Sequence, residues 1–94
     1  MEYEMFAVVV RETGDADQIE ASADHATNVA PRVRDTPGFV SALWMSDRAG
    51  GTVNVLVYES EKAANAVLEI ARTSPRPPFL KVESVALFRV LAHA

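Results

Sequence analysis

Hydrophobic positions change their spacing along this chain in an order that carries a fold. Alternation with a period of two runs through Tyr3–Arg11, Phe39–Ser46, Thr52–Glu59 and Val82–Leu91. Helix-period stripes occupy Asp17–Arg34 and Glu61–Arg72 between them. The order strand, helix, strand, strand, helix, strand predicts an α+β, ferredoxin-like β-α-β-β-α-β chain. Its expected form is a four-stranded antiparallel sheet with two helices on one face. That fold hosts many unrelated activities, so function has to be argued from particular residues.

Local signals sharpen the picture. Met5-Phe6-Ala7-Val8-Val9-Val10 is apolar throughout, which suits a central strand buried on both faces. Thr13-Gly14-Asp15 ends it, and Asp15 followed by Gln18 has capping-box spacing, so the first helix is expected to start there. Its stripe is Ile19, Ala23, Ala26, Ala30 and Val33, and the small alanines predict a close approach to the sheet. Pro31 is expected to kink or loosen the final turn. Thr36-Pro37-Gly38 stops that helix.

Asp47-Arg48-Ala49-Gly50-Gly51 reads as a five-residue hairpin loop. If Ser46 lies opposite Thr52, Trp44 faces Asn54, Ala42 faces Leu56 and Val40 faces Tyr58. Leu43, Met45, Val53, Val55 and Val57 then share the other face. Ser60 is the expected N-cap of a second helix whose stripe is Ala64, Val67, Leu68 and Ala71. Pro75-Arg76-Pro77-Pro78 predicts a stiff, extended loop before the last strand. Both faces of the sheet are largely apolar, including much of all four strands, although two helices can cover only one face. An uncovered face of that kind exceeds the few hundred Å² that monomers tolerate, which predicts a homodimer packed through the sheet face.

Composition narrows the partners. The chain has 94 residues, predicting a single domain over 1–94 that buries roughly 60–65% of its unfolded surface. A net charge of −4 with no Lys/Arg cluster beyond Arg32 and Arg34 argues against nucleic acid. Zero cysteines remove disulfides, thiolate metal sites and a cysteine nucleophile, and make a cytoplasmic location the simplest expectation. Glu2 and Glu4 have the wrong charge for a signal peptide, and no apolar run nears the ~18 residues of a membrane span.

The Thr36-Pro37-Gly38-Phe39-Val40 lead-in to strand two, Trp44 late in that strand, and Glu59-Ser60-Glu61-Lys62-Ala63-Ala64 opening the second helix resemble the antibiotic biosynthesis monooxygenase superfamily. The resemblance spans essentially the whole chain and extends in particular to short bacterial members with no assigned reaction. It implies a dimeric α/β barrel, two sheets facing each other with the helices outside. Characterised members of that superfamily include cofactor-free oxygenases of polycyclic aromatic phenols, quinol oxidases and haem-degrading enzymes. The haem degraders use an Asn on the first strand, a Trp, and a His on the second helical region. Here strand one has no Asn and Glu61–Arg72 has no His, so haem degradation is not expected.

Candidate site residues follow from chemistry and register. Trp44 and Asn54, as cross-strand neighbours, suit stacking on an aromatic ligand and hydrogen-bonding its carbonyl; they equally suit a dimer interface and a backbone contact. Tyr58 can hold a ligand oxygen or serve as a core aromatic. His25 is a candidate general base, but its offset from the helix stripe points to an exposed position. Arg89, a fixed charge in an apolar strand, can neutralise an anionic ligand or pair with Glu83 or a partner-chain carboxylate. His93 lies in a tail expected to fray.

Asp15, Asp17 and Glu20 complement a helix dipole and make a poor metal site. No phosphate-binding glycine loop, nucleophile elbow or zinc-protease motif occurs. No cofactor or metal is expected, and no catalytic residue is assigned. The default pocket is the space between the sheet and its helices. The first functional expectation is a dimer with a non-catalytic small-ligand-binding, accessory or stress role. The alternative is a cofactor-independent monooxygenase acting on a quinol or polycyclic phenol, with Trp44 and Tyr58 stacking and Asn54 or Arg89 stabilising the anion.

Overall fold

The computed structural model describes residues 4–94. Glu2 and Tyr3, used in the sequence reading, lie outside them. Along the chain run β1 (Phe6–Gly14), α1 (Ala16–Ala21), α2 (Ala23–Arg34), β2 (Phe39–Ser46), β3 (Gly51–Tyr58), α3 (Glu61–Thr73) and β4 (Leu80–Arg89). The strands form one antiparallel sheet in the order β2-β3-β1-β4. This is the expected ferredoxin-like topology, with β1 central and flanked by β3 and β4. The last strand starts at Leu80 and ends at Arg89, earlier than the Val82–Leu91 alternation suggested.

The first helix is a correction to the sequence reading: it is two helices broken at Ser22. Asp15 caps α1 as expected, its Oδ1 accepting from the Gln18 N–H at 2.9 Å. At Ser22 the hydroxyl donates to the Ile19 carbonyl at 2.7 Å, and the backbone N–H donates to Gln18 and Ile19 at 3.0 and 3.1 Å. A serine that bonds back to the preceding turn competes with helical continuation, so the rod ends and restarts.

The second correction concerns packing. No residue of α2 is fully buried; Ala23 is exposed, and Ala26, Ala30 and Val33 are half-buried. Val33, at the end of the stripe, packs against the core, but Ala26 and Ala30 are not brought down into it. Among the helices, α3 makes the core. Ser60 caps it, accepting from the Ala63 N–H at 3.1 Å, and Ala64 and Leu68 are buried against Val8, Val10, Leu56 and Tyr58. Val8, Tyr58 and Ala64 have no exposed surface at all.

The hairpin register matches the expectation at Ser46–Thr52, Trp44–Asn54 and Ala42–Leu56. It departs at Val40, which is bulged out, so Phe39 rather than Val40 lies opposite Tyr58. The cause is non-local. Gly38, held at φ +79°, presents its carbonyl to the Glu59 N–H at 2.8 Å, and this clamp shifts the pairing by one residue. Phe39 thereby meets Tyr58 edge-on, with ring centroids 6.0 Å apart.

A second irregularity falls between Arg11 and Glu12, where β4 carries the extra residue Glu83. Thr13 donates to the Glu83 carboxylate at 2.8 Å. The face of the sheet away from the helices is apolar, with Leu43, Met45 and Phe88 exposed and Val9, Val53, Val55 and Ala86 half-buried. The tail returns across one end of the sheet, leaving His93 Nε2 3.4 Å from Ser41 Oγ. Among the described residues, no helix is long and apolar enough to cross a membrane.

Candidate functional site

Because α2 stands off from the sheet, a cavity of about 1120 Å³ opens between them. Its floor is set by strand parity. Residues of even number on β1 and β3 point to the helices, as do Ala42, Trp44 and Ser46 on β2. Val10, Leu56, Ala42 and Trp44 supply apolar floor, and Ala26, Val29 and Ala30 of α2 supply apolar roof. The Pro75–Pro78 loop closes one end with Arg76.

The polar centre of the cavity is a residue the sequence reading passed over. Glu12 continues the inward face of β1 after Val8 and Val10, and its side chain is only 7% exposed. One carboxylate oxygen, Oε2, accepts from Arg76 Nε at 3.0 Å. The other, Oε1, accepts from Thr52 Oγ1 at 3.2 Å and Asn54 Nδ2 at 3.3 Å. Arg76 is itself anchored, its Nη1 donating to the Ser74 carbonyl at 2.6 Å. An ionised carboxylate survives at such burial only when paired and hydrogen-bonded, and this one is both.

Tyr58 sits at the other end of the floor. Its hydroxyl is 2.7 Å from Thr36 Oγ1, which already donates its own hydrogen to the Val33 carbonyl. Thr36 must therefore accept, and Tyr58 donates. Burial raises the Tyr58 pKa above its ordinary 10.0. The phenol stays protonated and is committed to the wall of the cavity.

Trp44, Asn54, Tyr58 and His25 all line this space, Trp44 half-buried and His25 exposed at its edge. Arg89 does not. It is exposed at the end of β4 opposite Phe6 and is not among the lining residues. Glu12 and Arg76 join the site instead. The available signal was parity: a carboxylate two residues beyond Val10 on an otherwise apolar strand face, and a single cation set between prolines. Among the described residues, no three His, Cys, Asp or Glu side chains are grouped to hold a metal ion. The arrangement offers an apolar slot with a stacking indole and one hydrogen-bonding cluster.

No family model matches the chain, and no curated protein sequence matches it. Solved structures do. SnoaB, a cofactor-independent oxygenase from Streptomyces nogalater, is similar at 19% identity and TM-score 0.68, over 96% of each chain. MhuD, a haem degrader from Mycobacterium tuberculosis solved with two haems in its active site, is similar at 19% identity and TM-score 0.68, over 95% of this chain and 98% of its own. A protein of unknown function from Nitrosomonas europaea is similar at 16% identity and TM-score 0.66, over all of this chain and 96% of its own. Likeness at such identities is a likeness of fold.

Proposed function

We propose that this chain, whose fold is that of antibiotic biosynthesis monooxygenase-like proteins, binds a small, flat, hydrophobic molecule in the cavity between α2 and the sheet. The observation that carries the reading is the cavity itself. Its volume of about 1120 Å³ is enough for such a molecule, its walls are mostly apolar, and Glu12, Asn54, Thr52 and Arg76 converge on one part of them. Small-molecule sites have this composition: mostly apolar walls and a few placed polar groups. The half-buried Trp44 gives an aromatic ligand a stacking surface.

The working unit in this reading is a homodimer in the cytoplasm. The exposed Leu43, Met45 and Phe88 on the face away from the helices support the dimer, and the lack of cysteine supports the location. Trp44 is the only tryptophan, so its fluorescence reports on the site. Naphthalene titrated into the protein is expected to quench and shift that emission saturably. An unchanged emission together with a flat calorimetric titration would sink the reading.

One observation favours a second, catalytic reading. Trp44 and Asn54 lie directly opposite each other on the cavity floor, where an indole and an amide can flank one ring of a phenol. A cofactor-independent oxygenase on a quinol or polycyclic phenol then acts on the phenolate, whose proton has passed to solvent water. The phenolate passes one electron to dioxygen, giving a phenoxyl radical and superoxide, while the Asn54 amide hydrogen-bonds the ligand oxygen. Oxygen uptake above the protein-free rate with a panel of quinols supports it. Uptake at the protein-free rate leaves the ligand-binding role.

A further inference from the structure

We propose that Glu12 is the residue that orients the cavity ligand, by accepting a hydrogen bond from a phenolic or enolic hydroxyl on it. Arg76 is the positioning residue that keeps this carboxylate in place. The inference rests on the reading of the cavity as a ligand site and adds to it the chemistry the ligand must present.

The position of Glu12 is the first argument. Val8 and Val10 precede it on the inward face of β1; Val8 is closed into the core, whereas Val10 and Glu12 line the cavity. A carboxylate there costs several kcal/mol of desolvation unless it is paired. The fold meets that cost with three donors from two other segments, β3 and the proline loop. Pro75 and Pro77 bracket Arg76 and restrict the backbone on both sides, and the Ser74 carbonyl holds its Nη1. The guanidinium is thus delivered to Glu12 by a stiff arm.

Counting acceptor sites gives the second argument. A carboxylate has about four lone-pair directions. Thr52 and Asn54 share Oε1, and Arg76 takes one direction at Oε2. One direction at Oε2 is left open to a further donor, and Glu12 lines the cavity from which one can arrive. Charge selects the kind of donor. A ligand ammonium would sit beside the Arg76 guanidinium, and a ligand carboxylate beside Glu12, so each is opposed by a like charge. A neutral hydroxyl on an apolar body meets neither penalty, and Trp44 and the alanines of α2 accept the body.

The test compares 2-naphthol with 2-methoxynaphthalene, which has the same ring but no donor, on the full chain by Trp44 quenching and calorimetry. A hydrogen bond to a charged acceptor predicts naphthol binding at least about tenfold tighter. Naphthol absorption is expected to shift to the red on binding, as an O–H polarised by a carboxylate does; this readout needs no variant. The paired variant Glu12→Leu/Arg76→Met removes both charges together, and in it the two probes are expected to bind within about threefold of each other. Equal binding by the unaltered protein, or discrimination that survives in the paired variant, overturns the role of Glu12 and leaves the cavity reading standing. Failure of both probes to bind overturns the two together.

Discussion

Replacing Arg76 with methionine keeps most of the side-chain volume and removes the cation from beside Glu12. The carboxylate left behind is 7% exposed, and its Oε2 loses the bond it makes at 3.0 Å to Arg76 Nε. Breaking a buried pair on one side typically costs about 3–5 kcal/mol. Thr52 and Asn54 still donate to Oε1, and the cavity gives water a route to Oε2, so we expect about 2–3 kcal/mol here. For a chain of this size that corresponds to a fall of about 10–20 °C in Tm.

The paired variant Glu12→Leu/Arg76→Met behaves oppositely. It leaves no charge stranded, exchanges an ion pair for apolar contact, and is expected within about 1 kcal/mol of the unaltered protein. Urea and thermal unfolding followed by Trp44 emission, at one protein concentration and one salt concentration, measure both variants. Two results would refute the reasoning: a single variant costing less than about 0.5 kcal/mol, or a paired variant as unstable as the single one.

Tyr58→Phe should cost only about 1 kcal/mol, because Thr36 keeps its bond to Val33 and no buried donor is orphaned; chemical denaturation measures it. Burial holds the folded-state pKa of Tyr58 above 10.0, so its contribution to stability is complete below that pH. It is lost as pH rises through the folded value, and the Phe variant should lack this alkaline limb in a Tm-versus-pH series. Gly14→Ala should destabilise by more than about 2 kcal/mol, since the added Cβ runs into the Phe79 carbonyl where β4 begins; urea unfolding midpoints measure it. Val55→Asp, on the apolar face away from the helices, should abolish the folded dimer, and an unchanged sedimentation profile would count against the dimer.

Strand order and the Trp44–Asn54 pairing were legible because both follow from short-range rules. A period of two fixes which face a side chain takes, and a loop from Asp47 to Gly51 fixes which residues meet. The Ser60 and Asp15 caps were legible for the same reason, since their chemistry is complete within three residues. The bulge at Val40 was not, because its cause is the Glu59–Gly38 hydrogen bond from another segment. Nor was the break at Ser22, where hydroxyl back-bonding wins over an unbroken apolar stripe.

The polar centre of the site was hidden for a related reason. Alternation ended β1 at Arg11 by pattern, yet the strand continues to Gly14 and carries Glu12 inward. Its partner Arg76 lies 64 residues later, in a segment that composition marks only as stiff. Arg89 shows the reverse. Its charge within an apolar run suggested a site, whereas the end of a strand simply lets a guanidinium reach solvent.

The joint at Ser22 divides the labour of this small chain. The α3 side of the sheet holds the close-packed residues on which folding depends, while α2 buries none of its own completely and hangs from a serine hinge. Substitutions at Ala26, Val29 and Ala30 on the inner face of α2 therefore reshape the chamber with little draw on the reserve that keeps the chain folded. A scaffold built this way can drift from one guest molecule to another by single steps, each tolerated before it is useful.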